Sequence, residues 1–327
     1  MDDTFKSLVT GMIDYAGLFP PARLDMETAL ASYLRYRGES HEWMLARFIV
    51  PAGRLRELAS FNEAPGLPGR LCVLLGSGAS VPDAVTTARS DFDAVQEFLD
   101  GREDAVVVDG FEFRFPDETV AAADPAGWAF CLESVRGAAA DAGVSGVELF
   151  AEVPGTPESA RTDSSAAEGI ALFARENTGD ETFARTGLKL RCGGVDAAAF
   201  PTVERVAGVL SACRDRRIPV KFTAGLHHPL RHRDADIGAD AHGFLNVFAA
   251  GALAWAADLT TGEIESCLRE TGEAAFRFDR DHLYWREHTL TRDQVARARA
   301  AFVTAFGSCS FEDPVADLQQ LGLLTTG

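Results

Sequence analysis

Two stretches decide the reading of this chain: Leu188-Lys189-Leu190-Arg191-Cys192-Gly193-Gly194 and Ile218-Pro219-Val220-Lys221-Phe222-Thr223-Ala224-Gly225. Each sets a lysine into an otherwise apolar, strand-length run, in a chain whose only lysines are Lys6, Lys189 and Lys221. Side chains alternate between the faces of a strand, so Lys189 and Arg191 share one face, as do Lys221 and Thr223. Leu188, Leu190, Val220 and Phe222 take the other. With the apolar face against helices, as in a closed parallel barrel, both lysines point into the barrel.

Working outward, short apolar or β-branched runs recur at 11–16, 45–50, 71–75, 105–111, 147–153, 188–191, 220–223 and 275–278. Between and beyond them, helical spacing of apolar residues appears at 26–36, 55–60, 93–99, 129–142, 166–176, 203–214, 244–256 and 292–306. Eight β-then-α units without a linker or composition shift predict one (β/α)8 TIM barrel spanning 1–327, with insertions after strands 4 and 7 and a C-terminal helical extension. The competing architecture is an open doubly wound sheet. Its dinucleotide-binding form requires G-x-G-x-x-G after the first strand, where this chain reads Asp14-Tyr15-Ala16-Gly17-Leu18-Phe19-Pro20-Pro21. No cofactor is expected.

The 327 residues are 46% hydrophobic and 24% charged, an ordinary globular balance. Acidic residues outnumber basic ones 49 to 31, a formal charge of −18 that repels phosphate backbones and anionic lipid, so neither nucleic acid nor membrane is an expected partner. The six cysteines form no C-x-x-C pair, which argues against a zinc ribbon or a disulfide framework. The Met-Asp-Asp start carries no secretory pattern, and the apolar run 244–257 is short of a ~20-residue span. A cytoplasmic protein is expected, with homo-oligomerisation open.

In a barrel the chemistry sits at the C-terminal ends of the strands. Adjacent parallel strands are ~4.8 Å apart, so two ammonium groups at one height repel. Repulsion and partial desolvation lower a lysine's pKa and free an amine to attack a carbonyl. The structural alternative is an ion network in which Glu148 and Glu152, turned inward on strand five, neutralise the lysines.

These residues resemble, in order along the chain, the deoxyribose-phosphate aldolase-like class I aldolases. Ile13-Asp14-Tyr15-Ala16-Gly17-Leu18-Phe19-Pro20 is similar to that family's I-D-H-T-x-L-x-P opening, and Phe48-Ile49-Val50-Pro51-Ala52 to its V-x-P-x segment. Glu103-Asp104-Ala105-Val106-Val107-Val108 resembles its E-x-D-M-V-I run, one residue shorter before the aspartate. Lys189-x-x-x-Gly193 and Lys221-x-Thr223-x-Gly225 resemble K-T-S-T-G and K-x-S-x-G. The resemblance implies Lys189 as imine-forming nucleophile, Lys221 as its electrostatic neighbour, Asp104 as proton relay and Asp14 near the substrate. Asp109 and Glu112 are the alternative acids, nearer the active end of strand four.

The chain departs from the family after strand seven, at Leu226-His227-His228-Pro229, and after the eighth run, at Asp279-Arg280-Asp281-His282, where the family binds phosphate with small residues. Arg231, Arg233 and Arg280 are the basic residues nearby. His227, His228, His232 and His242 crowd one segment; His228 and His232 are four apart, a metal-binding spacing on a helix, but Pro229 interrupts it.

The expectation is a metal-independent class I aldolase or lyase forming a Lys189 imine with a small sugar-like or keto-acid carbonyl substrate. Glu148, Glu152, Arg191, Thr223, His227, His228 and Arg231 join Asp14 as substrate contacts. The alternatives are a metal-assisted hydrolase or isomerase built on the 227–242 segment and a non-catalytic metabolite-binding barrel.

Overall fold

A computed structural model describes residues 4–61, 66–102, 105–154 and 160–325. Eight parallel strands close a barrel: β1 (Ile13–Tyr15), β2 (Leu45–Pro51), β3 (Arg70–Leu74), β4 (Val107–Arg114), β5 (Val147–Glu152), β6 (Phe183–Arg191), β7 (Val220–Thr223) and, after further short strands, β13 (Val303–Ser308). Each pairs with its sequence neighbour around the ring. β13 closes it against β1, with Asp14 opposite Gly307. This is the expected (β/α)8 architecture.

The helices are α1 (Thr4–Val9), α2 (Met26–Tyr36), α3 (Leu55–Leu58), α4 (Val81–Leu99), α5 (Asp117–Ala122), α6 (Pro125–Asp141), α7 (Ala160–Glu176), α8 (Val203–Arg216), α9 (Phe244–Ala257), α10 (Thr261–Leu268), α11 (Arg292–Ala301) and α12 (Glu312–Gln320). Several begin where a side chain satisfies an orphan backbone N–H. Asp25 caps α2 through Thr28 N at 2.8 Å, and Ser80 with Asp83, Thr260 with Glu263 and Thr291 with Gln294 form reciprocal caps on α4, α10 and α11. α9 is buried nearly throughout, stacking Phe244 on Phe306 of β13 with ring centroids 5.6 Å apart. No helix among the described residues is long and apolar enough to cross a membrane.

One strand assignment needs correction. The run 275–278 contributes only β10 (Arg277–Phe278), which pairs antiparallel with β11 (His282–Trp285), itself paired with β12 (His288–Thr291), outside the barrel. The eighth barrel strand instead occupies the end of the expected helix 292–306. A single residue, Phe302, separates α11 from β13, so helical spacing runs unbroken into the strand. Pairing of β13 with both β1 and β7 overrides the local pattern. The insertion after β7 carries the hairpin β8 (His232–Asp234) and β9 (Ala239–Ala241), then α9, α10 and the three-stranded sheet. The insertion after β4 is the extra helix α5.

The barrel interior is polar in layers. At its N-terminal end, Arg47 of β2 holds Asp109 at 2.5 Å and Glu148 at 2.7 Å, while Arg185 also binds Glu148. The lysines lie higher in the barrel, toward its C-terminal end.

Candidate active site

Strand register sets Lys189 directly beside Lys221 and Glu152 beside Lys189. Both lysines point inward, as alternation requires. Lys221 is fully buried; its Nζ donates to Asp14 Oδ2 from β1 and lies 2.8 Å from Glu112 Oε1 of β4. The Cys72 thiol of β3 is 3.6 Å from the same ammonium. Lys189 Nζ is 2.6 Å from the other Glu112 oxygen and 2.8 Å from Glu152 Oε2. Asp14 is further held by the Arg47 backbone N–H at 2.9 Å. Glu112 therefore bridges two ammonium groups, one with each oxygen.

Two cations against Asp14, Glu112 and Glu152 reverse the expected depression of the lysine pKa values. Burial alone would discharge Lys189, but Glu112 and Glu152 outweigh it and hold its pKa above the ordinary value. Lys221 is raised likewise: Asp14 and Glu112 prevail over burial. Burial would push Glu112 up, yet the two ammonium groups and their hydrogen bonds hold it at about 2. Both lysines are ammonium ions in the resting protein. Charge balance across five strands, invisible in any one of them, causes the reversal.

Above this cluster opens a cavity of about 440 Å³, bounded by the strands' C-terminal ends. Glu112, Glu152, Lys189, Arg191, Thr223 and His227 are in its wall; Lys221 and Asp14 are not, being sealed beneath. The loops rising from β6 and β7 touch there. A Cβ on Gly193 would stand 2.6 Å from Gly225 Cα, and Gly225 has a φ of +70°, so glycine is required on both sides of this contact.

A second chamber of about 420 Å³ shares Gly194, Val195, Gly225 and His227 with the first. The β8–β9 insertion supplies part of its wall through His232, Asp234, Ile237 and Ala241.

The remaining sequence candidates divide. Asp104 lies outside the described residues. Glu148 and Asp109 belong to the N-terminal layer with Arg47, so Glu148 neither neutralises the lysines nor lines the cavity; Glu112 takes that position. The signal for Glu112 was alternation with Phe111, Phe113 and Phe115, all fully buried. Arg231 lines neither chamber and pairs with Asp240 at 3.3 Å. Arg233 pairs with the same carboxylate at 3.2 Å.

His228 is exposed, reaches Asp317 at 2.6 Å and borders the second chamber. His228 and His232 are not on a helix; their rings meet edge to face with centroids 4.5 Å apart. His242 turns away to the Pro201 carbonyl at 2.8 Å, and burial lowers its pKa to about 4. Among the described residues, the one group of three potential metal ligands within reach of one another is Glu263, Glu287 and His288, none of which lines either chamber. Among the described residues, the 227–242 segment therefore assembles no three-ligand set.

The fold and site together define a (β/α)8 barrel with a lysine–carboxylate cluster beneath a cavity at the C-terminal ends of the strands. No protein-family model matches the chain, and no curated protein matches it. Among solved structures, it is similar to a deoxyribose phosphate aldolase from Aeropyrum pernix described as a unique tetrameric structure. That match has a TM-score of 0.40 and 15% identity over 76% of this chain and 84% of the other.

Proposed function

We propose that the protein is a Schiff-base lyase, a class I aldolase acting on a small carbonyl compound through Lys189. One observation carries this reading: of the two interior lysines, Lys189 alone opens on the cavity, and two carboxylates grip its ammonium. An amine must be neutral to attack a carbonyl. Glu112 is a poor acceptor for the proton, since it stays ionised between two cations. Glu152 lines the cavity and contacts only one of the lysines, so it is the carboxylate that takes the Lys189 proton as substrate enters.

Attack gives a carbinolamine; return of the proton to its hydroxyl expels water and leaves a cationic imine. Glu112 and Glu152 face that cation as they faced the ammonium, in a site shielded from water. The imine then withdraws the electron pair of an adjacent C–C or C–H bond. Lys221, locked by Asp14 and Glu112, is the electrostatic neighbour that keeps Glu112 from neutralising Lys189 completely. Thr223 and Arg191, in the cavity wall, are substrate contacts on this reading.

The test is reductive trapping. Incubation with a panel of small aldehydes, ketones and keto acids, followed by borohydride, leaves a mass adduct on the peptide containing Lys189, and Lys189→Ala abolishes it. An adduct on Lys221 exchanges the two roles; no adduct from any member of the panel, with folding confirmed, removes the aldolase reading.

A further inference from the structure

The second chamber is not lined by Lys189, yet it adjoins the first along a shared wall that includes His227. That imidazole is half-buried, and neither ring nitrogen has a hydrogen-bond partner among the described residues. The neighbouring histidines differ: His228 is tied to Asp317, His232 to the Leu230 carbonyl and His242 to that of Pro201. The chamber's apolar side is Val195, Phe200, Ile237 and Ala241; its charged groups, Asp234 and Asp313, are both acidic. Such a wall repels an anion and accepts an uncharged, apolar body.

We infer that the second chamber seats the aldehyde partner of the lyase reaction, an aldehyde with an uncharged apolar body, and that His227 exchanges the proton on that partner's oxygen. This rests on the Lys189 imine reading and extends it. In the cleavage direction, the β-hydroxyl proton passes to His227. The O–H electron pair becomes the second bond of the new C=O, and the scissile C–C pair moves onto the imine to give an enamine. The aldehyde departs into the second chamber. The enamine takes a proton at carbon, and water hydrolyses the resulting imine. Synthesis runs the same steps in reverse.

His227 is in the neutral, proton-accepting form at neutral pH. Burial lowers its pKa, assisted by His228 and His232 and opposed by Asp313 and Asp234, the titratable groups that face it.

The experiment uses the full-length protein, a donor ketone identified by trapping, and two aldehydes, acetaldehyde and 3-phenylpropanal. In His227→Gln, carbon–carbon turnover falls about 10²-fold or more relative to the rate of donor trapping on Lys189. The loss of wild-type kcat/KM at acidic pH, caused by protonation of His227, is absent from the variant's profile. In Ile237→Trp, which fills the second chamber, KM rises for 3-phenylpropanal and not for acetaldehyde. Unchanged turnover in His227→Gln with a retained acidic limb, or equal effects of Ile237→Trp on both aldehydes, overturns this inference while trapping leaves the imine intact. Absence of trapping in the wild type overturns both.

Discussion

Replacing Lys221 by methionine separates the roles of the two lysines. The change removes one ammonium from a sealed site and leaves Asp14, with no exposure, and Glu112, with 2%, short of a partner. Asp14 keeps the Arg47 backbone N–H at 2.9 Å, and Glu112 keeps Lys189 at 2.6 Å. Breaking a buried pair by removing one partner costs about 3–5 kcal/mol. The acid side gives a second magnitude. Glu112 is held at about 2 against 4.5, and at 1.36 kcal/mol per unit this is about 3 kcal/mol.

Because the folded pKa of Glu112 is depressed, that stability is present above about pH 4.5 and is lost as pH falls toward 2. In Lys221→Met one ammonium faces Glu112 instead of two, so the acid loss begins at higher pH. Guanidinium unfolding at pH 7, 5 and 3 measures both effects. Lys221→Met combined with Asp14→Asn recovers part of the loss, since the carboxylate left uncompensated is then neutral. In trapping, Lys189 of the variant has Glu112 to itself and holds its proton more tightly, so the optimum moves to higher pH. A loss below about 1 kcal/mol at pH 7, or an optimum moved to lower pH, would refute the shared-carboxylate argument.

Three further outcomes are expected. Glu152→Gln removes one of the two carboxylates that raise the Lys189 pKa and also the acceptor of its proton, so the trapping optimum moves to lower pH while the rate at that optimum falls by about 10²-fold; an unchanged rate at the optimum assigns the proton to another group. Gly225→Ala strains a backbone at φ +70° and drives a Cβ to within 2.7 Å of Gly193 Cα, so Tm falls and the cavity rim deforms; a wild-type melting curve contradicts the close contact. Preincubation with EDTA leaves trapping on Lys189 unchanged, because the lysine itself supplies the electrophile; loss of trapping restored by added metal favours a metal-assisted reading.

How far the sequence could be read depended on the range of the interaction. The α2 segment 26–36 was legible to the residue, because an Asp25 cap and an amphipathic face are local. β13 was missed because its neighbours β1 and β7 lie about 290 and 80 residues away, while the local pattern continues that of α11. Inward orientation of Lys189 and Lys221 followed from alternation, a property of each strand alone.

What the lysines meet inside the barrel is another matter. Asp14, Cys72, Glu112 and Glu152 come from β1, β3, β4 and β5, and only closure of the ring brings them within a few ångströms of one another. The sequence determined the (β/α)8 class, the inward-facing lysines and the glycines that let their loops meet. Tertiary structure decided which lysine reaches the cavity, which carboxylate bridges the pair, and the sign of the pKa shifts. Orientation is a matter of one strand's geometry, whereas a buried charge takes its energy from every charge around it, whatever their separation along the chain.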